Sequence, residues 1–323
     1  MRCKNVREIV EEADRILFEE CDVLEDSNAE YFFRGESMNF ERKNEGTDCA
    51  LGTSFCSFLD REENWIKNER KLYEEALRLN VISFEKDQTM VERLVRMQHF
   101  QLPTRFCDMS TNVLCAALFA CGCGDLWNKD CRNNGYDGYI RVIKAKRDRI
   151  KSFTSDIIKA IASLPLVDSK NIYPESGGKD GIGYLSFEVG AQRPGFENAD
   201  ELSKELQHVW AFKPILNSTR IRCQSGVMLA FGCGDGKRRL NATFSPADYD
   251  HVDAATYGIA QVGVIQIDAG CKERICEELR YFGMPVEGLY ADLSNVCSAI
   301  AERAKRKGVI RIIRLSAISS ELN

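Results

Sequence analysis

Val6, Ile9, Val10, Ala13, Ile16 and Leu17 recur at three- and four-residue intervals, which predicts an amphipathic helix from about Val6 to Glu20. A polar linker, Asp22 to Asn28, separates it from Glu30 to Gly35, a short aromatic run that reads as a strand. Ser37 to Thr53 is polar and contains Gly, the pattern of a surface loop. Helical spacing returns over Glu62 to Leu79 and over Gln88 to Gln98, and Pro103 marks a stop just beyond the second. Thr104 to Cys107 reads as extended. Ser110 or Thr111 is then placed to cap a helix from Asn112 to about Ala120, apolar on nearly every face and so expected to be deeply buried.

Further along, Gly138 to Ile143 alternates like a strand. Between Lys144 and Phe212 the pattern shows only a helical piece near Ile157, a loop at Pro174 to Gly183 and a strand at Tyr184 to Val189. Arg220 to Phe231 starts polar and turns apolar, as expected of a core strand leaving a site. Asp235 to Thr256 is loop-rich, and Val262 to Ile267 is a strand. Helices over Lys272 to Phe282 and Asp292 to Arg306 are closed by Gly283 and Gly308, and Val309 to Leu315 is a final strand. Strands and helices interleave without a strict βαβ rhythm. The expected class is α+β, with a mixed or antiparallel sheet and flanking helices.

Composition narrows the function classes. The chain has 323 residues, 44% hydrophobic and 29% charged, enough to bury a core. Its net charge of −5 lacks the basic excess of a dedicated nucleic-acid binder, although Lys144 to Lys151 and Lys305 to Arg314 are locally basic. No stretch is long and apolar enough to span a membrane, and Met1 to Val10 has no apolar segment behind its charges. A cytoplasmic location is therefore expected, with the fourteen scattered cysteines mostly reduced and buried.

Several superficial motifs fail on spacing. Gly232 to Lys237 lacks the four residues between glycines, and the Ser or Thr after Lys, that a phosphate loop needs; a hairpin turn fits better. Cys121-Gly122-Cys123 lies among other cysteines, but no C-x-x-C pair exists and the chain has three histidines, so no metal is expected. Cys107 and His99 could form a nucleophile pair, but the apolar setting of Cys107 favours an inert thiol.

Three segments place polar side chains inside apolar sequence: Tyr31 to Ser37, Gln98 to Asp108 and Arg220 to Val227. A buried Arg is costly unless paired or bound to an anion, and its planar fork suits phosphate or carboxylate. Gly35 permits close approach of backbone or ligand. On a regular strand Arg220, Arg222 and Gln224 would share one face. Two readings stand. Arg34, Arg105 and Arg220 gather in one site, or Arg34 pairs with Asp108 and the others with further acids as structural ion pairs. His99 as a core histidine, Asp108 as a helix cap and Gln224 as a strand bridge belong to the second.

These segments resemble the FRG domain family, named for a Phe-Arg-Gly strand. Phe33-Arg34-Gly35 matches that strand. Gln98, His99, Leu102, Pro103, Thr104, Arg105 and Asp108 match a second signature, followed by a helix ending at Phe119-Ala120. Arg220, Ile221, Gln224 and Gly226 match a third, and Lys272, Ile275, Leu279 and Gly283 a weak C-terminal pattern. Gln101 replaces a usual Gly, Phe106-Cys107 replaces Leu-Leu, and Met109 stands where Trp is common. The resemblance implies one FRG-type domain over 1–323, with an N-terminal helix over 1–29, a core over 30–293 and a C-terminal helix and strand over 294–323.

The motif order is also similar to that of ADP-ribosyltransferases: an aromatic-Arg-Gly strand, a second strand leading into an Ala- and Phe-rich helix, and a third strand bearing a catalytic Glu. That resemblance implies an ADP-ribosyltransferase-like fold and cleavage of NAD by a transferase or NAD glycohydrolase of toxin or defence-effector type, with a protein among the candidate acceptors. Arg34, flanked by Phe33 and Gly35, would hold phosphate or ribose oxygens, with Thr104, Arg105 and Arg220 also holding the nucleotide. Gln224, Asp108 and His99 would be the catalytic group. Gln224 stands where the family's Glu would be, so Asp108 would have to supply the carboxylate. The alternative is a nucleotide-binding or sensor domain without turnover.

Overall fold

The computed structural model describes residues 2–38 except 22 and 24–26, 68–122 except 101, 135–166, parts of 202–215, 219–232 and 259–284. The expected loops at Ser37 to Thr53 (beyond residue 38), Pro174 to Gly183 and Asp235 to Thr256, the strands Tyr184 to Val189 and Val309 to Leu315, and the helix Asp292 to Arg306 lie outside the described residues.

Among the described residues, eight strands form one mixed sheet: β1 (Arg2–Cys3), β2 (Ala29–Glu36), β3 (Phe106–Ser110), β4 (Gly138–Lys146), β5 (Ile150–Ser152), β6 (Val209–Lys213), β7 (Gly226–Phe231) and β8 (Ile259–Ile267). Their spatial order is β1-β8-β4-β2-β3-β7-β6-β5. The end strands β1 and β5 pair parallel with their neighbours, and all other pairs are antiparallel. The helices are α1 (Val6–Asp14, continued by a π-helical turn over Arg15–Glu20), α2 (Glu69–Leu79), α3 (Met90–His99), α4 (Val113–Ala120), α5 (Asp156–Ser163), α6 (Thr219–Cys223) and α7 (Lys272–Tyr281). The α+β class with a mixed sheet is the observed one. Gly283, with φ of +78°, ends α7 as its sequence position implied.

The sheet is strongly curled. Only three residues join Lys146 at the end of β4 to Ile150 at the start of β5, a reach of at most about 14 Å. These strands are five positions apart in the sheet, about 24 Å if it were flat. Lys213 of β6 likewise meets Glu30 of β2 at 2.7 Å across the rim. The bend comes between β2 and β3, whose ladder is the single pair Phe33↔Ser110.

Side-chain alternation divides the interior accordingly. Phe32, Cys107, Met109, Ile143, Ala145, Val209, Ala211, Val227, Leu229 and Phe231 form one cluster inside the curl. On the outer face, α1, α4 and α7 pack over β1, β2, β4 and β8, burying Val6, Ile9, Phe33, Ile140, Val142 and Ile275. Helices α2, α3 and α5 pack over β3, β6 and β7, around Phe106, Phe212, Met228 and Trp210.

Helix α4 lies close against the sheet because both sides are stripped of bulk. It contributes Ala116 and Ala120, and the strands contribute Gly35 and Gly138. A Cβ on Gly35 would stand 1.8 Å from the Ala116 carbonyl oxygen, and one on Gly138 2.3 Å from that of Ala120. The α4 cap is Asn112, whose side chain accepts from Leu114 N at 2.9 Å, rather than Ser110 or Thr111. Ser110 acts one step earlier, accepting from Asn112 N at 3.0 Å. Helix α3 starts in a capping box, with Glu92 N donating to Thr89 Oγ1 at 3.2 Å and Thr89 N to Glu92 Oε2 at 2.8 Å.

Arg220 to Phe231 is not one strand. Thr219–Cys223 is helical, and Ser225, with φ of +48°, reverses the chain before β7 begins at Gly226. Arg220, Arg222 and Gln224 therefore do not share a strand face.

Candidate functional site

A small cavity opens where β2 and β3 part. Phe33, Arg34, Gly35, Asp108, Met109, Ser110, Phe119 and Gln224 line it, and it encloses about 40 Å³. Five of the expected site residues thus meet: Phe33, Arg34 and Gly35 from β2, Asp108 from β3, and Gln224 from the turn before β7.

Each is held by local structure. Beyond the Phe33↔Ser110 pair the strands diverge, and the Arg34 side chain reaches into the opening, where its Nη1 donates to the Asp108 carbonyl oxygen at 2.7 Å. Arg34 Nε also faces Glu36 Oε1 at 3.3 Å. The expected Arg34–Asp108 ion pair is thus a hydrogen bond to the Asp108 backbone, and the acid beside Arg34 is Glu36. Gln224 is fixed through its backbone: Ser110 Oγ donates to the Gln224 carbonyl at 2.6 Å, and Thr111 N donates to the Ser225 carbonyl at 3.1 Å. These bonds hold Ser225 in the left-handed region, which a non-glycine residue rarely adopts.

The second signature divides. His99, buried at the end of α3, brings Nε2 to 3.9 Å from Asp108 Oδ1. That lies beyond hydrogen-bond reach, and Asp108 Oδ1 accepts none. His99 therefore stands behind the cavity rather than in its wall. Thr104 is buried, donating to Gln98 Oε1 at 2.8 Å and accepting from Phe106 N at 3.2 Å, so it shapes the turn into β3. Arg105 is also away from the cavity lining. Its Nε and Nη2 each bond a Glu69 carboxylate oxygen at 2.6 Å, and Nη1 donates to the Gly232 carbonyl at 3.0 Å. With Arg105 3% and Glu69 9% exposed, this is a structural clamp joining α2 to β3 and β7. Thr104 and Arg105, expected to hold the nucleotide, thus lie outside the lining of this cavity and are engaged by Gln98 and Glu69. Arg220 lies in α6, and its side chain is outside the described residues. Gly35 lines the cavity and also serves the close approach of α4.

The sequence pattern missed Ser110, Met109 and Phe119 in the wall, and Glu36 with Arg141 beside it. Glu36 directly follows the Phe-Arg-Gly run, and its parity with Arg34 on β2 was the signal available. Among the described residues no group of His, Cys, Asp and Glu is arranged to hold a metal.

Two cysteines near the site, Cys107 and Cys115, are buried. Burial pushes the Cys115 thiol up to about 12, against the lowering effect of a hydrogen bond with Ser110. Cys107 is buried and free, in keeping with an inert thiol. No helix among the described residues is long and apolar enough to cross a membrane.

A family model described as the FRG domain matches residues 29–125. The match covers Phe33-Arg34-Gly35, the Gln98 to Asp108 signature and all of α4, and ends before the Gln224 segment. No curated protein and no solved structure matches the chain. Residues 29–125, which hold β2, β3 and α4, thus carry an FRG domain.

Proposed function

We propose that the opening between β2 and β3 binds a nucleotide, with NAD as the ligand, and cleaves its nicotinamide–ribose bond. One observation carries this reading: residues from two FRG signatures and from the Gln224 turn line a single cavity, although Arg34, Asp108 and Gln224 are far apart in sequence. The three segments belong to, or lead into, the neighbouring strands β2, β3 and β7.

Arg34 is the cationic group for phosphate or ribose oxygens. Gln224 orients a ribose hydroxyl. As the C–N bond to nicotinamide lengthens, positive charge develops on the ribose, as in glycoside hydrolysis. Gln224 carries no charge to meet it, so Asp108 is the carboxylate assigned that role. Water or an acceptor, a protein side chain being one candidate, then takes the ADP-ribosyl group. A cavity of about 40 Å³ admits one polar group of the nucleotide. Ordinary ligand pockets enclose roughly 300–1,000 Å³, so the remainder of the dinucleotide lies outside it or the opening widens on binding.

A second reading, nucleotide binding without turnover, rests on Gln224 standing in the position of the expected Glu. Calorimetric titration with NAD and a nicotinamide-release assay separate the two. Cleavage predicts release that Asp108→Asn abolishes and Arg34→Lys reduces through weaker binding. Saturable binding without release favours the second reading. Absence of NAD binding by a folded wild-type chain ends both.

A further inference from the structure

On the inner face of the curl, a polar chain crosses four neighbouring strands within apolar surroundings. The Asp108 carbonyl of β3 accepts from Arg34 Nη1 of β2. Arg34 Nε faces Glu36 Oε1 at 3.3 Å, and Glu36 Oε2 accepts from Arg141 Nε of β4 at 3.0 Å. Arg141 Nη1 in turn donates to Gln261 Oε1 of β8 at 3.0 Å. Arg141 is 2% exposed and Glu36 4% exposed, the former among the largest fully buried side chains.

Two features show that this is a built arrangement. Arg34 and Arg141 are direct register partners, a placement in which like charges oppose each other, and the carboxylate of Glu36 lies between their Nε atoms. The register of β4 with β8 also slips between Val142 and Ile143, which pair with Gly263 and Gln261, leaving Val262 as the extra residue. That bulge sets Gln261 opposite Ile143, on the inner face with Arg141. Burying such groups brings a desolvation cost, and apolar residues of similar volume often serve stability as well or better. The arrangement also fixes orientation: Glu36, Arg141 and Gln261 stay out of the cavity lining, and Arg34, which they hold, is part of it.

We infer that Glu36 is a positioning residue. Anchored by Arg141 and Gln261, it holds the Arg34 guanidinium at the mouth of the β2–β3 opening. The functional part of this inference rests on the nucleotide reading of that opening, whereas the orientation of Arg34 can be measured without ligand.

In the full-length, ligand-free protein, the nitrogen-15 NMR signal of the Arg34 Nε–H group is compared between wild type and Glu36→Gln. Gln keeps the shape but loses the charge and can no longer accept from both guanidinium groups. The expected result is a shifted or exchange-broadened Arg34 signal with the fold retained by circular dichroism. An unchanged signal overturns the inference. Should Glu36→Gln not fold, the paired replacement Glu36→Leu with Arg141→Met removes the buried charges together and is read in the same way.

NAD titration forms the second arm. Glu36→Gln is expected to weaken binding about tenfold, the scale of one charge-assisted hydrogen bond, and to have no further effect in an Arg34→Ala background. Equal effects in both backgrounds mean that Glu36 does not act through Arg34, and overturn the inference. If wild type binds no NAD, the nucleotide reading fails, and the Arg34 signal alone decides whether Glu36 orients that side chain.

Discussion

Gly35 shows which of two expected approaches, of backbone or of ligand, the packing itself requires. Its position beside Arg34 invites the idea that a ligand needs the space, yet the space is taken by the backbone of α4, 1.8 Å from where a Cβ would sit. Gly35→Ala is therefore expected to destabilise the protein by at least the roughly 1–3 kcal/mol of core overpacking, visible as a lowered Tm. Arg34 and Arg105 are likewise both arginines within signatures, but one lines the opening and the other is clamped by Glu69. Residue type could not separate them, because the partner of Arg105 is 36 positions away. At His208 the chemistry is electrostatic. Burial, with Arg149 adding to it, lowers its folded-state pKa below the ordinary 6.5. The unfolded chain therefore takes up this proton at higher pH than the folded one. The contribution of neutral His208 to stability is complete above pH 6.5 and is lost as pH falls below it toward the lowered folded value. The drop in Tm from pH 7 to pH 5 should accordingly be smaller in His208→Gln than in wild type.

Among elements, the helices with strong stripes and caps were the most legible. Helix α3 was expected over Gln88 to Gln98 and spans Met90–His99, with its capping box in the Thr89 and Glu92 side chains. Helix α7 ends at its glycine. The turn before β7 was misread because Arg220 to Gln224 carries no strong local preference. Its helical turn and the φ of Ser225 depend on Ser110 and Thr111, more than a hundred residues earlier. The short strands β1, β5 and β6 also escaped notice. Two- and three-residue strands have too few positions to show alternation, and β6 is apolar at four successive positions because both its faces are covered. Helix α2 fully buries only Glu69 and Tyr73, with Ala76 and Leu77 partly buried against the same core, so the Arg105 clamp adds a polar anchor to a modest apolar contact. Glu69→Gln, which leaves the buried guanidinium without its carboxylate, should cost about 3–5 kcal/mol in denaturant unfolding and speed hydrogen exchange along α2 first.

At the scale of the molecule, curling of the sheet determines what meets what. It closes Phe32, Ile143, Val209 and Phe231 into one inner cluster, and the parting of β2 from β3 at the bend leaves the opening that Arg34 enters. The ion pair of Lys213 with Glu30 spans the opposite rim, but its side chains are 55% and 34% exposed. It reports the curl rather than enforcing it: Lys213→Ala is expected to change stability by less than about 1 kcal/mol. The same unfolding measurement on Glu69→Gln and Lys213→Ala thus separates a buried clamp from a rim contact.

By itself the sequence determined the features that depend on neighbours along the chain: the α+β class, the periodic helices and the ordered FRG signatures. Tertiary structure decided the features that depend on contacts between distant segments. These are the glycine-cushioned seat of α4, the withdrawal of Thr104 and Arg105 from the opening, the aiming of Gln224 by Ser110, and the bridge of Glu36 between Arg34 and Arg141. Periodicity reports which face of an element is buried. It carries no information on which charged side chain, a hundred residues away, will stand opposite when the sheet closes, and that pairing is what leaves Arg34 in the wall of the opening and clamps Arg105 to Glu69.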